Sequence, residues 1–257
     1  MLTYGLLGYP LTHSFSKQYF TEKFEKEQIK NCEYRLFPLE HISQFPILLA
    51  KYTNLKGLNV TIPYKQVVLP LLDELDPTAK AVGAVNCIKI IAGKGNQLAT
   101  LIGYNTDVYG FKMSIKPFLE QHHERALILG TGGASKAVAY VLNEIGIDCY
   151  FVTRNKEKNN LQTNTTKVFT YDELNEYILN AFQLIVNTTP LGTYPNVNTC
   201  PAIPFEFVKN THLLYDLVYN PTETEFLKRG KAQGATTING LSMLHLQADE
   251  AWRIWNS

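Results

Sequence analysis

Residues 125–145 read RALILGTGGASKAVAYVLNEI, and this stretch decides the fold of the chain. The apolar run Arg125–Leu129 predicts a buried strand, and the periodicity of Ala134–Ile145 predicts a helix. The glycines between them allow a tight turn and let main-chain N–H groups at the start of the helix approach a pyrophosphate. Ser135 stands where the GxGxxG pattern has its third glycine, so the loop taken alone is also compatible with a plain packing turn.

Strand and helix patterns alternate on both sides of this stretch, which predicts parallel sheets with helices on both faces. Further strands are expected at Tyr4–Leu7, Cys32–Phe37, Leu58–Thr61, Asp148–Thr153, Leu184–Asn187, Leu213–Leu217 and Thr236–Ile238, with a hairpin at Val85–Ile91 and Ala99–Ile102. Further helices are expected at Phe15–Glu27, Lys65–Leu72, Asp107–Leu119, Tyr171–Leu179, Thr224–Lys231 and Leu241–Trp255, and a surface loop at Asn159–Thr166.

We predict an α/β chain of two domains. An N-terminal α/β domain spans residues 1–104, and a Rossmann-like dinucleotide-binding domain with a parallel sheet spans residues 105–239. The C-terminal helix, residues 240–257, has one apolar stripe and is expected to pack back on the first domain.

Composition excludes several classes of partner. The chain carries 24 Lys and Arg against 23 Asp and Glu, a balance that gives no electrostatic footprint for nucleic acid or an anionic membrane. The four cysteines lie far apart without a CxxC pair, so neither a disulfide framework nor a metal site is predicted. The N-terminus lacks the basic segment of a signal peptide, and no apolar run approaches the roughly 18 residues that span a bilayer. We therefore expect a cytoplasmic protein whose ligands are small molecules.

The end of the second strand of the Rossmann-like unit indicates which dinucleotide binds. A NAD-binding unit places Asp or Glu there to hold the ribose 2′-hydroxyl. This chain has Thr153, Arg154 and Asn155 instead, and a guanidinium at this position can fork onto a 2′-phosphate. Lys158 could add positive charge, whereas a solvated basic turn is the simpler interpretation of Lys156. The predicted cofactor is NADP.

The acid–base group that hydride transfer requires is expected in the first domain. Lys65 follows GLNVTIPY, a strand that stops at a proline and turns into a helix. Thr61 and Lys65 therefore lie at the carboxyl end of a strand, where ligands gather in open α/β sheets. Asp107 follows Asn-Thr at the start of a predicted helix. A surface lysine and an N-cap aspartate are competing interpretations, and the residues alone leave both open.

Taken together, the segments resemble the shikimate/quinate dehydrogenase family over nearly the full length, with the motifs in the family's order. YGLLGYPLTHSFS (4–16) resembles the family's substrate loop, and NVTIPYK (59–65) resembles its catalytic segment. GAVN (83–86) and NTD (105–107) resemble further substrate segments, and GTGGAS (130–135) resembles the NADP loop. NTTPLG (187–192), YDLVYNP (215–221) and NGLSMLHLQA (239–248) resemble the later strand ends and the closing helix.

The resemblance implies NADP-dependent, reversible reduction of 3-dehydroshikimate to shikimate, a step of aromatic amino acid biosynthesis, in a cleft between a substrate domain and the Rossmann-like domain. It implies that Lys65 is the acid–base group and that Asp107 orients it. The residues implied for substrate are Ser14, Ser16, Thr61, Asn86, Tyr215 and Gln247, of which the serines hold the ring carboxylate. Those implied for NADP are Gly130, Thr131, Gly132, Gly133, Ala134, Thr153, Arg154, Lys158, Thr188, Leu217 and Gly240.

This chain departs from the family pattern after the serines. Lys17 stands where the family usually has proline, and Tyr19-Phe20 stands near a missing His-Asn pair. His13 is a second candidate for the acid–base group, although we expect it to brace the loop. We expect a monomer or a homodimer.

Two alternatives to the implied function remain. One is a quinate/shikimate dehydrogenase that uses NAD, against which Arg154 argues. The other is a dinucleotide-sensing binding protein without catalysis, against which the presence of both Lys65 and Asp107 argues.

Overall fold

The structure is a computed structural model that describes residues 1–11, 14–93, 98–156 and 167–257. Its contacts divide the chain into two units, Met1–Thr106 together with Ala248–Ser257, and Asp107–Gln247. The first unit contains β1 (Leu2–Gly8), α1 (Phe15–Lys26), β2 (Cys32–Pro38), α2 (Phe45–Lys51), β3 (Leu55–Val60), α3 (Tyr64–Val67), β4 (Glu74–Leu75), α4 (Pro77–Val82), β5 (Cys87–Ile91) and β6 (Thr100–Tyr104).

The strands of the first unit form a mixed sheet in the order β2-β1-β3-β5-β6-β4. β1 is parallel to β2 and β3, whereas β5 is antiparallel to β3 and β6. The predicted hairpin is thus confirmed, and it makes this sheet mixed, whereas β1, β2 and β3 are parallel as the strand–helix alternation predicts. β5 and β6 are separated by too few residues for a parallel pair, which needs a crossover of about a dozen residues or more.

The chain then continues through α5 (Thr106–Ile115), β7 (Arg125–Leu129), α6 (Gly133–Glu144), β8 (Asp148–Thr153), β9 (Val168–Thr170), α7 (Glu176–Ala181), β10 (Leu184–Asn187), β11 (Leu213–Asp216), α8 (Glu225–Ala232), β12 (Thr236–Ile238) and α9 (Leu241–Trp255). β7, β8, β10 and β12 begin and end where the sequence predicts. The predicted loop Asn159–Thr166 lies outside the described residues.

The sheet of the second unit is parallel at every pairing, in the order β12-β11-β10-β7-β8-β9. This confirms the Rossmann-like prediction. The chain builds the sheet outward from β7 in one direction, then returns to β10 and builds in the other. β7 and β10 are therefore adjacent at the topological switch point, where open α/β sheets bind ligands.

Three predicted helices are shorter than the sequence patterns indicate. Lys65–Leu72 ends at Val67 and continues as a 3₁₀ turn at Leu69–Leu71, because Pro70 has no N–H to donate to the helix. Pro117 lies in a similar 3₁₀ turn that follows α5. Tyr171–Leu179 splits into a 3₁₀ turn and α7, since the Asn175 side chain accepts the Ile178 N–H at 3.1 Å and starts a new helix.

The last residues of α9 complete an aromatic core in the first unit. The Trp255 ring lies 5.1 Å from Tyr4 and 5.3 Å from Phe20, and its Nε1 donates to the Ile88 carbonyl at 3.0 Å. Gly57 leaves the room for this ring, because a Cβ at that position would overlap the indole. In the part of the chain that is described, no helix combines the length and apolar character that a membrane crossing requires.

Candidate cofactor and substrate sites

The residues predicted to contact NADP lie along one edge of the second sheet. Gly130 follows β7, Thr153 ends β8, Thr188 follows β10, Leu217 follows β11, and Gly240 lies two residues past β12. Because the strands are parallel, their carboxyl ends share this edge. The fold thus brings together residues that are more than a hundred positions apart in the chain.

Gly130 and Gly132 are glycines for different reasons. Gly130 has a positive φ of 104°, and a Cβ there would lie 3.0 Å from the Thr188 Oγ1, so the fold itself requires glycine. Gly132 has an ordinary φ of −81°, and no described atom lies within 4 Å of where its Cβ would be. The fold does not need glycine at 132, whereas a pyrophosphate that approaches the backbone does. The loop therefore fits a dinucleotide.

Helix α6 begins immediately after this loop. Gly132 is its N-cap, so the N–H groups of Gly133 and Ala134 belong to the first turn, whose N–H groups have no partner within the helix. Ser135, in place of a third glycine, is fully buried, and its hydroxyl donates to the Gly132 carbonyl at 2.6 Å. The serine is thus satisfied within the turn, and the positive end of the helix dipole lies at the loop with the partly exposed Thr131.

The basic residues after β8 have different surroundings. Lys156 forms an ion pair with Glu173 at 2.7 Å, which agrees with its interpretation as part of a surface turn. Arg154 is exposed, and among the described residues no carboxylate lies within ion-pair distance of its guanidinium. Lys158 lies outside the described residues. Of the two basic residues of this segment that the structure describes, Arg154 is therefore the one available for a phosphate.

The loops after β10, β11 and β12 approach one another closely. The Thr188 N–H and hydroxyl both donate to the Leu129 carbonyl, at 3.0 and 2.6 Å, which ties the end of β10 to β7. The Gly240 N–H donates to the Val218 carbonyl at 3.2 Å, and a Cβ at Gly240 would overlap the Leu217 carbonyl. Glycine at 240 therefore allows the segment before α9 to pass directly over the end of β11.

In the first unit, the predicted substrate residues follow β1 and its neighbour β3. The Thr61 N–H donates to the Leu7 carbonyl at 2.9 Å, so Thr61 lies where both strands end. The Lys65 carbonyl accepts the Val85 N–H at 2.7 Å, and the Asn86 carbonyl accepts the Val60 N–H at 2.8 Å. These bonds hold the segment of Thr61 and half-buried Lys65 against the segment that carries Asn86.

Ser14 is the N-cap of α1, since its Oγ accepts the Lys17 N–H at 3.2 Å. The cap uses an acceptor lone pair and leaves the hydroxyl proton for donation, so it is compatible with a carboxylate ligand. Ser16 lies in the first turn of the same helix. Burial raises the pKa of the neighbouring Tyr34 well above its usual value, and interaction with the Ser16 side chain lowers it in part. His13 lies outside the described residues.

Asn86 has a structural contact that the sequence did not indicate. Its Oδ1 accepts the Thr106 N–H at 2.6 Å, and its Nδ2 lies 3.0 Å from the Thr106 hydroxyl. Asn86 thereby fixes the start of α5.

Asp107 is not the N-cap of this helix, because α5 already begins at Thr106. The competing explanation of Asp107 as a helix cap is therefore wrong.

Gln247 belongs to the same unit as Asp107, on a neighbouring helix. A Cβ on Gly110 would lie 3.0 Å from the Gln247 Cβ and 2.7 Å from the Met243 carbonyl, so glycine allows α5 and α9 to approach closely. The Gln247 Nε2 donates to the Leu244 carbonyl at 2.9 Å, and the side chain is mostly buried.

Tyr215 lies within β11, one residue before the end of the strand. Its side chain is fully buried within the second unit, packs edge-on against Phe111, and shares a hydrogen bond of 2.7 Å with the Ser114 hydroxyl. Burial raises the pKa of Tyr215 to about 12. Tyr219, in the same YDLVYNP segment, lies past the end of β11 and is only partly buried.

Comparison with known proteins gives the family. Residues 6–88 match the model of the shikimate dehydrogenase substrate binding domain. A shikimate dehydrogenase (NADP(+)) of Carboxydothermus hydrogenoformans is 41% identical over 261 residues, which cover 98% of this chain and 90% of that protein. The chain belongs to the shikimate dehydrogenase family. The resemblance drawn from the motifs is thereby confirmed.

Solved structures of similar proteins have the same fold. Shikimate 5-dehydrogenase of Thermus thermophilus, in complex with NADP(H) and shikimate, is 29% identical with a TM-score of 0.85 over 99% of this chain and 93% of that chain. Quinate dehydrogenase of Corynebacterium glutamicum, in complex with NAD, is 28% identical with a TM-score of 0.84 over the same shares, 99% and 93%. The fold is thus common to shikimate and quinate dehydrogenases, and the side chains must decide between them.

Proposed function

We propose that this protein is an NADP-dependent shikimate dehydrogenase that reversibly reduces 3-dehydroshikimate to shikimate in aromatic amino acid biosynthesis. The observation that carries the proposal is the 41% identity with a shikimate dehydrogenase (NADP(+)) across 98% of the chain. The residues proposed for this chemistry lie in the two units described above. The first unit carries most of the residues proposed for the substrate, and the second carries those proposed for NADP together with Gln247 and Tyr219.

Proton transfer is assigned to Lys65. In this reaction NADP supplies the nicotinamide that accepts or returns a hydride. An alcohol that loses a hydride must also lose its hydroxyl proton, and the Lys65 amine takes that proton or returns it in the reduction direction. Lys65 is half-buried at the end of β3, and the fixed backbone around it holds its stem in place. Asp107 is assigned the second catalytic role, as the carboxylate that orients the lysine.

Binding of the substrate is assigned to hydroxyl and amide groups. Ser14 and Ser16 donate to the ring carboxylate, and Thr61, Asn86 and Gln247 form the rest of the polar lining. Tyr219 replaces Tyr215 in this assignment, because the Tyr215 hydroxyl is buried against Ser114 whereas Tyr219 lies past the strand end.

Preference for NADP over NAD is assigned to Arg154. A quinate/shikimate dehydrogenase that uses NAD is the nearest alternative. In such an enzyme an acidic residue after β8 would hold the ribose 2′-hydroxyl. Here Arg154 takes that place, exposed at the end of the strand, and a guanidinium suits a 2′-phosphate.

A dinucleotide sensor without catalysis would not need Lys65 and Asp107 together.

The four cysteines are free thiols, as expected for the reducing cytoplasm where we place the enzyme. We expect it to function as a monomer or a homodimer.

The test follows the absorbance of reduced cofactor with shikimate or quinate as substrate and NADP or NAD as cofactor. We expect turnover with shikimate and NADP. Lys65→Ala should lower kcat by about 10²–10⁴-fold with NADP affinity unchanged, because a positioned base contributes a factor of that size. Lys80→Ala, an exposed lysine on α4, is the matched control and should keep full activity.

Asp107→Ala should lower kcat by a similar factor. The double variant with Lys65→Ala should lose much less than the product of the two single losses, because the residues act as a unit. Normal turnover by Lys65→Ala combined with an inactive His13→Ala variant would transfer the acid–base role to His13. Turnover with quinate and NAD alone would refute the proposal.

A further inference from the structure

Asp216 is a fully buried carboxylate at the last position of β11. Its Oδ1 accepts the Asn187 side-chain amide at 2.9 Å and the Val218 N–H at 3.0 Å. Its Oδ2 accepts the Thr224 hydroxyl at 2.5 Å. The three donors come from the end of β10, the turn after β11 and the N-cap of α8. One carboxylate therefore ties three separate segments together.

The Asn187 side chain extends this network into the next loop. Its Oδ1 accepts the Thr189 N–H at 3.0 Å and the Thr189 hydroxyl at 2.7 Å, and its backbone carbonyl accepts the Leu217 N–H at 2.9 Å. Thr188 and Leu217, the residues assigned to the cofactor at these two strand ends, are thus each adjacent in sequence to a member of the network. A shift of Asp216 would move both loops.

Stability alone is a poor reason to bury this group. Burial raises the pKa of Asp216 to about 6, in spite of the three hydrogen bonds that lower it. Removing a carboxylate from water costs free energy, and well-packed apolar side chains often stabilise such a site as well or better. The advantage of a carboxylate over an apolar group is geometric, because it holds three hydrogen-bond donors at defined angles.

We propose that Asp216 is a positioning residue that acts through Asn187 and Thr224 to hold the Thr188 and Leu217 loops in the geometry that binds NADP. The inference rests on the proposed function for the identity of the cofactor. It assigns Asp216 no contact with NADP or with substrate.

Two substitutions separate hydrogen-bond geometry from charge. Asp216→Ala removes all three bonds. Asp216→Asn keeps the two bonds to Oδ1, and its amide can donate to Thr224, whose hydroxyl accepts as readily as it donates. We expect Asp216→Ala to weaken NADPH binding about tenfold or more, and Asp216→Asn to restore most of the lost affinity. NADPH fluorescence titration measures this without any turnover, so it remains valid if shikimate is not the substrate.

The matched control is Asp76→Ala. Asp76 caps α4 in the first unit through bonds of 2.9 Å to the Ala79 N–H and 3.1 Å to the Thr78 N–H. Its loss should lower the melting temperature without changing NADPH affinity.

A second control tests whether Asp216 acts through the Leu217 loop. Leu217→Ala combined with Asp216→Ala should lose less affinity than the product of the single losses, because both changes act on one loop.

Unchanged NADPH affinity and kcat in Asp216→Ala, with a lower melting temperature, would overturn the proposal and leave the network a purely structural role. If Asp216→Ala does not fold, Thr224→Val and Thr224→Ser decide. The valine removes one donor and should weaken NADPH binding, whereas the serine keeps the donor and should not. Equal affinity in these two variants would also overturn the proposal. Wild-type protein that binds NADPH but does not oxidise shikimate would refute the proposed function alone.

Discussion

At the scale of single residues, some side chains of the two sites also form hydrogen bonds that stabilise the fold, and others do not. Ser14 accepts a backbone N–H as a helix cap, and Asn86 holds the start of α5. Arg154, in contrast, is exposed and has no carboxylate partner among the described residues. Substitution of Arg154 should therefore report on ligand binding, whereas substitution of Ser14 or Asn86 reports on binding and stability together.

Arg154→Ala should weaken NADP binding by roughly ten- to a hundredfold and leave NAD binding almost unchanged. A charge-assisted contact to a phosphate of this kind contributes about 1.5–3 kcal/mol. Separate titrations with NADPH and NADH measure the difference. Lys156→Ala is the control, because its ammonium already pairs with Glu173. Equal losses for both cofactors in Arg154→Ala would show that the arginine supports the turn and does not read the 2′-phosphate.

The two roles of Ser14 can be separated with two variants. Ser14→Ala loses the cap, at a cost of about 0.5–2 kcal/mol, and also loses the hydroxyl donor. Ser14→Asp keeps a capping oxygen but brings a negative charge to the expected carboxylate. We expect Ser14→Asp to melt near the wild-type temperature and to raise the KM for shikimate, with the KM for NADP unchanged. A wild-type KM for shikimate in Ser14→Asp would restrict Ser14 to capping. Ser16→Ala should raise the same KM without loss of a cap.

At the scale of elements, the unit β7–loop–α6 combines a glycine that the fold needs with one that it does not. Gly130 has a positive φ, and a Cβ at this position would lie 3.0 Å from the Thr188 Oγ1, so Gly130 is part of the packing between β7 and β10. Gly132 faces open space at an ordinary φ. Alanine at position 130 should therefore affect mainly the stability of the protein, whereas alanine at position 132 should affect mainly NADPH binding.

Gly132→Ala should melt close to wild type and bind NADPH at least about tenfold more weakly, because its methyl group occupies the space that the pyrophosphate needs. Gly130→Ala should mainly lower the melting temperature, since a residue with a Cβ is strained at positive φ. Thermal melting and NADPH titration on both variants check this. Wild-type NADPH affinity in a folded Gly132→Ala protein would place the pyrophosphate elsewhere.

At the scale of the whole molecule, we expect two histidines at the amino edge of the second sheet to lower stability at acidic pH. The buried His123 and His212 each precede a strand, and each accepts a backbone N–H at Nδ1 at 3.0 Å, from Glu120 and Lys209. Only the neutral imidazole can accept there. Burial lowers the pKa of both histidines below the ordinary 6.5.

At these two positions the unfolded chain therefore takes up more protons than the folded one as the pH falls below about 6.5, so their contribution to the free energy of unfolding decreases in that range. A His123→Gln, His212→Gln double variant cannot take up these protons. We expect its melting temperature to fall less than that of the wild type between about pH 7.5 and 5.5. Burial raises the pKa of Asp216, so its contribution to the free energy of unfolding increases as the pH falls. Because Asp216 is present in both proteins, this contribution does not affect the difference between them. An identical decrease in both proteins would contradict the prediction.

The sequence by itself determined the elements whose residues interact locally. β7, β8, β10 and β12 have the predicted bounds, because short apolar runs between turn residues allow only one placement of a buried strand. The glycine loop and Arg154 could also be placed from the sequence, because each directly follows a predicted strand. These positions indicated a dinucleotide and a preference for NADP. The motifs in their order also gave the family, which the comparisons confirm.

Only the tertiary structure decided the features that depend on partners distant in the chain. The periodicity of YDLVYNP cannot show that Tyr215 is buried against Ser114, 101 residues away, while Tyr219 lies past the strand end. Nor can it show that Asp216 joins Asn187 and Thr224, or that Asn86 holds the start of α5. The physical reason is common to all three. A sequence pattern records which positions are buried, whereas the partner of a buried polar group is set by the packing of strands and helices that meet only after the chain has folded.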